Sequence, residues 1–144
     1  LNKEVKPNAG ISSVKEITKK QLNKNVNKEL KYSDNNHNVS RASLTYGMNN
    51  KEPSGELVST VDVRHKKPVW VYYFTELKSM KGNKVYHEWV RNGEVVSRQA
   101  LVISGDIWRT SSRKLLSDSE KGNWTVRLVD KNGRLLNKKE FKVE

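Results

Sequence analysis

The sequence predicts an all-β domain over residues 40–144, built as two packed sheets around one core. Three observations predict it. From residue 40 the apolar pattern takes a period of two, two Asn-Gly pairs separate alternating runs, and all four Trp and both Phe fall at or beyond residue 70. With 144 residues there is room for one ordinary domain and an extension, not for two cores.

The first 39 residues read as a basic, Lys/Asn-rich tail or linker, expected to be partly helical or disordered. They hold eight Lys against four acids, a balance of +4. Ser13 and Glu16 have the spacing of a capping box, which could start a helix near Val14. Leu22, Val26 and Leu30 then recur every four residues, too sparsely for a core of their own. A spacer, a helix docked on the domain and a helix for a partner all fit this pattern. Residues 33–38, Ser-Asp-Asn-Asn-His-Asn, read as a hinge loop.

In the domain, Ala42, Leu44 and Tyr46 alternate with Arg41, Ser43 and Thr45 as in a half-buried strand. Pro53, Ser54 and Gly55 punctuate. Residues 57–63 alternate again, with Leu57, Ser59, Val61 and Val63 on one face. Residues 65–68 form a turn. The run at 69–75 is the most apolar and suits a central strand, with Trp70, Tyr72 and Phe74 on one face and Val69, Val71 and Tyr73 on the other. Two hairpins follow, residues 84–90 with 95–104 across Asn92-Gly93, and 124–129 with 135–143 across Asn132-Gly133. Asn-Gly supplies the positive φ angles of a type I′ turn. Between the hairpins, residues 105–122 read as an irregular segment with a short strand at 107–110 and a helical turn around 113–116. About seven or eight strands with turns every 8–12 residues make a sandwich or small barrel. In the closing segment Trp124, Val126 and Leu128 point inward, opposite Phe141 and Val143.

Composition narrows the function. Without cysteine there are no disulfides, thiol nucleophiles or Cys-ligated metal sites. No apolar run approaches the ~20 residues that span a bilayer. The chain begins at Leu1 rather than Met, so a fragment or processed product is expected, which leaves room for a removed signal peptide or membrane anchor upstream. The net charge of +12 favours polyanionic partners.

From Arg41 onward the chain resembles the bacterial domain-of-unknown-function 2914 family. The resemblance is carried by Arg41-Ala42-Ser43-Leu44-Thr45, Glu52-Pro53, Val71 to Leu77, Gly82, His87-Glu88-Trp89 and Asn92-Gly93. It continues through Trp108-Arg109-Thr110-Ser111-Ser112-Arg113-Lys114 to the Gly122-x-Trp124-x-Val126 ending. It covers the domain and none of the tail. It implies a bacterial β-sandwich, often behind a membrane anchor, and brings no established activity. The closing segment from Gly122 to Val143, of a kind common at the end of immunoglobulin-like bacterial sandwiches, makes the expected fold an immunoglobulin-like antiparallel β-sandwich.

The three histidines, His37, His65 and His87, lack zinc-site spacing. There is no phosphate loop and no Gly-x-Ser-x-Gly elbow. No catalytic residues, metal ligands or cofactors are therefore expected. The candidate ligand-binding set is Trp108, Arg109, Ser111, Ser112 and Lys114, with His87 and Trp89. An indole platform beside a guanidinium and hydroxyls suits a sugar ring bearing an acid. The same residues also suit a structural role, with Trp108 in the core, serines capping a turn, and His87 and Trp89 as buried partners. The run Trp70, Tyr72, Tyr73 and Phe74 beside Arg64, Lys66 and Lys67 could stack single-stranded nucleic acid, and equally suits a central strand. The resulting expectation is a monomeric, non-catalytic module, periplasmic or extracellular, binding a glycan or other anionic envelope polymer. A protein–protein adaptor is the first alternative and charge-driven nucleic-acid binding the second. Membrane contact is expected only through the tail or an upstream anchor.

Overall fold

The structure, a computed structural model, describes residues 36–64 and 67–144. The expected helix near Val14, the stripe at Leu22, Val26 and Leu30, the first half of the hinge loop and the start of the 65–68 turn lie outside the described residues.

Nine strands form among the described residues: β1 Val39–Asn49, β2 Glu52–Leu57, β3 Thr60–Val61, β4 Val69–Lys78, β5 Lys84–Arg91, β6 Glu94–Val102, β7 Ile107–Leu116, β8 Gly122–Asp130 and β9 Leu135–Val143. They make two sheets, ordered β2-β1-β4-β7 and β3-β9-β8-β5-β6. All pairings are antiparallel except β3 on β9, where Val61 lies opposite Val143. The chain passes from β4 to β5 in the other sheet, returns at β7 beside β4, and crosses again to β8 beside β5. This Greek-key path puts β4, β5, β7, β8 and β9 where an immunoglobulin sandwich has its B, C, E, F and G strands. The fold is an immunoglobulin-like β-sandwich.

Alternation explains the core. Val71, Tyr73 and Leu77 of β4 point inward to meet Val85 and Trp89 of β5, with Trp124, Val126 and Leu128 of β8 beside them. Trp124 lies opposite Phe141 in register, and their rings stack at 5.9 Å. The expected inward set on the closing hairpin is thus in place. Trp89 meets the same Phe141 ring edge-on at 6.3 Å.

Four local expectations are corrected. Residues 113–116 are not a helical turn: β7 runs unbroken to Leu116, with Arg113 opposite Tyr72 and Leu116 opposite Val69. Pairing with the most apolar strand overrides the helix propensity of Arg-Lys-Leu-Leu. The only helical turn among the described residues is a 3-10 turn at Asp118–Glu120, closed by Ser117 and Glu120 in a capping box. Next, Asn132-Gly133 is not a type I′ turn. Gly133 has a φ of 83° but Asn132 is not among the positive-φ residues. The Asp130 carboxylate accepts the N–H groups of Asn132 and Arg134, both at 2.9 Å, and so favours a three-residue loop with its left-handed position at Gly133. Asn92-Gly93 does have both angles positive, 49° and 88°.

Pro53-Ser54-Gly55 does not interrupt the chain but lies within β2, an edge strand, where a missing N–H is tolerated. The reversal is one step earlier, at Asn50 and Lys51, with φ of 53° and 65°. Finally, Leu57 does not share a face with Val61 and Val63: it is 74% exposed, whereas Val58, Val61 and Val63 are buried. The chain changes phase where β2 ends, as Val58 N–H reaches Leu44 O at 2.9 Å.

The first hairpin also bends. Along a flat strand, Arg41 and Asn49, the residue opposite Glu52, would stand ~26 Å apart. Yet Arg41 holds the Glu52 carboxylate at 2.8 Å. The register shift between Thr45 and Gly47 folds the hairpin tip back over the outer face of the sheet. That cover explains why Phe74, on the outward side of β4, is buried beneath the Arg41 guanidinium.

Candidate functional site

The sequence candidates separate into an interior group and an outer group, because successive strand residues point to opposite faces. His87 and Trp89 of β5 point inward and are 0% and 1% exposed. Ser112 of β7 comes down between them. The His87 ring joins Thr75 Oγ1 at Nε2, 3.0 Å, and Ser112 Oγ at Nδ1, 2.7 Å. Trp89 Nε1–H donates to the same Ser112 hydroxyl at 3.0 Å. Tyr73 lies tilted against the His87 ring at 4.5 Å, and its hydroxyl donates to Asn137 Oδ1 on β9 at 2.7 Å. These side chains tie β4 and β7 of one sheet to β5 and β9 of the other. In a domain without cysteine, this network occupies the layer where immunoglobulin domains carry a disulfide. Burial pushes His87 down to about 3, so its ring is neutral at neutral pH.

Trp108 and Arg109 do not form one platform. Trp108 is half-buried and lies against the core, over Gly105, where an added Cβ would meet its ring at 3.3 Å. Arg109 is on the other side of the sheet. Ser111 accompanies Arg109 on the outer face, whereas Ser112 and Lys114 follow Trp108. The set is therefore corrected: the alternation of one ten-residue strand divides it between two faces, and burial removes His87 and Trp89 from any surface.

The outer face holds a charge cluster that the sequence reading did not assemble. Arg41, Glu76 and Arg109 stand opposite one another on β1, β4 and β7. Arg41 donates to Glu76 at 2.6 Å and to both Glu52 oxygens at 2.8 and 3.0 Å, and Arg109 also donates to Glu52. Ser40 Oγ–H donates to Glu76 at 3.0 Å. Glu52 is held down to about 2 by Arg41 and then Arg109, and Glu76 is lowered chiefly by Arg41. For carboxylates with depressed values the stabilisation is present above the ordinary value and lost as pH falls through the folded one. Glu52→Gln is therefore expected to lower the thermal midpoint at pH 7. In melts at stepped pH, that difference should shrink between pH 4.5 and about 2.

Beyond these groups, Glu88 is flanked by Arg127 at 2.8 Å and Arg98 at 3.2 Å on the outer face of the second sheet. An open hollow of about 620 Å³ at one end of the sandwich is lined by residues including Asn92, Asn123, Glu140 and Lys142. Among the described residues no group of three His, Asp or Glu side chains could hold a metal ion. No described helix is long and apolar enough to cross a membrane.

Residues 82–143 match the family described as Protein of unknown function (DUF2914). The family resemblance read from the sequence is thereby shown over β5 to β9. Among solved structures, an immunoglobulin-like protein from Pseudomonas aeruginosa is similar at 14% identity, covering 73% of this chain and 98% of its own, with a TM-score of 0.47. No curated protein matches the chain significantly.

Proposed function

We propose that this domain is a non-catalytic protein-binding module that engages its partner along the open side of the sandwich bordered by β6 and β7. Ser112 of β7 touches His87 and Trp89 of β5, so β7 lies over β5 and β6 lies beyond it at the same margin. Within the described residues, β6 pairs only with β5 and β7 only with β4, and each leaves one edge open. The observation that carries the reading is where the exposed apolar side chains fall. Of the seven large exposed hydrophobics among the described residues, five are on these two strands: Val95, Val96 and Val102 on β6, Ile107 and Leu115 on β7. Long apolar edges are normally blunted, and one left open suits a partner strand.

The glycan reading needs Trp89 and Trp108 at a surface beside Arg109, and that arrangement is not built. A setting in the bacterial cell envelope rests on the family resemblance and is part of this proposal. Selection of random displayed peptides on the 144-residue chain, with an array of anionic and neutral glycans in parallel, tests it. Selected peptides are expected to be extended and to shift β6 and β7 amides in NMR spectra. Glycan binding without peptide selection overturns the reading.

A further inference from the structure

The two open edges differ in charge. β6 carries Glu94 and Arg98 and is balanced, whereas β7 has no acid of its own and carries Arg109, which Glu52 pairs, Arg113 on the same outward side, and Lys114 on the other. On its outward side β7 presents, in alternate positions, Ile107, Arg109, Ser111, Arg113 and Leu115. Ile107 and Leu115 are 69% and 41% exposed. The Arg113 guanidinium carbon lies over the Trp70 ring, 4.0 Å from its centroid. A guanidinium placed in this way keeps its N–H donors free for a carboxylate.

From these features we infer that β7 is the edge the partner adds to, and that the partner is an acidic, extended polypeptide segment. The inference rests on the edge-binding reading and names the partner's chemistry. A strand added to β7 would set every second side chain opposite this outward row. Apolar residues would meet Ile107 and Leu115, and an acidic residue would meet Arg113, Arg109 being already held by Glu52. A second copy of this chain is the wrong occupant. Antiparallel self-pairing about Ser111 puts Arg109 opposite Arg113 of the other copy, and like charges directly opposite destabilise. A phosphate backbone is also a poorer fit, because it has no use for the apolar residues that bracket the arginines.

The test titrates the isotopically labelled full chain with a blocked nine-residue peptide that alternates Val and Glu on one face and Thr on the other. Its counterpart with Lys in place of Glu and an oligothymidylate serve as comparisons. The acidic peptide is expected to protect amides of residues 107–116 from exchange and to bind about tenfold more tightly than the Lys peptide. Arg113→Glu should reverse that preference. Neighbouring N–H groups of a strand point to opposite edges, so either Thr110→Pro or Ser111→Pro leaves the β4 ladder whole and should abolish binding. Protection on β6 alone overturns the inference and leaves the edge-binding reading standing. Absence of protection on both strands overturns both. Equal binding of the oligothymidylate at β7, unaffected by the proline variants, overturns the inference in favour of a polyanion surface.

Discussion

Lowering the pH from 7 to 4.5 is expected to remove about 2–3 kcal/mol of folding free energy through His87 alone. Its folded value is about 3 against an ordinary 6.5, and the cause is complete burial. Between those two values the unfolded chain binds a proton that the folded chain refuses. Stability therefore rises with pH across the window, by ~1.4 kcal/mol per unit, and the contribution is fully present only above pH 6.5. Urea unfolding at stepped pH measures it. His87→Gln, which carries no titrating ring, should be less stable at pH 7 yet lose the steep decline between pH 6.5 and 4.5. Parallel curves for the two proteins would contradict the buried, neutral ring.

Ser112→Val is expected to cost about 2–4 kcal/mol, because it strands two buried partners at once. The His87 Nδ1 and the Trp89 Nε1–H both rely on that hydroxyl. Trp89→Ala should cost about 3–5 kcal/mol, from lost burial and the cavity it leaves against Phe141. Arg109→Ala, three residues along the same strand from Ser112, should stay within about 1 kcal/mol, since its ion pair with Glu52 is exposed. Denaturant midpoints of the three variants, compared at pH 7, check the contrast. Similar losses for Arg109→Ala and Ser112→Val would contradict the division of β7 into an interior and an exterior face.

The fold was legible where a local pattern is also the tertiary one. Strict alternation at Ala42 to Tyr46, the apolar run of β4 and the Asn92-Gly93 turn needed no distant partner to be read. Trp124, Val126 and Leu128 were placed inward for the same reason. The misreadings all fall where a distant strand or a nearby carboxylate decides. Residues 113–116 are extended because β4 pairs with them, and Asn132 keeps a negative φ while the Asp130 carboxylate holds the loop. The candidate site failed in a related way. Trp108, Arg109, Ser111 and Ser112 fall within one five-residue stretch, and a loop could have gathered them. A strand cannot, because it turns neighbours to opposite faces. The cluster of Arg41, Glu52, Glu76 and Arg109 was invisible for the converse reason: its members are scattered and meet only through register and a folded-back hairpin.

Trp89, Trp108 and Trp124 belong to the interior framework of the sandwich rather than to a binding surface. Hydroxyl-radical footprinting of the four tryptophans, read by mass spectrometry on the intact chain, tests this most directly. Trp70 is 39% exposed and should oxidise fastest, with half-buried Trp108 behind it and Trp89 and Trp124 protected until the domain unfolds. Oxidation of Trp89 and Trp108 at the rate of Trp70 would contradict it.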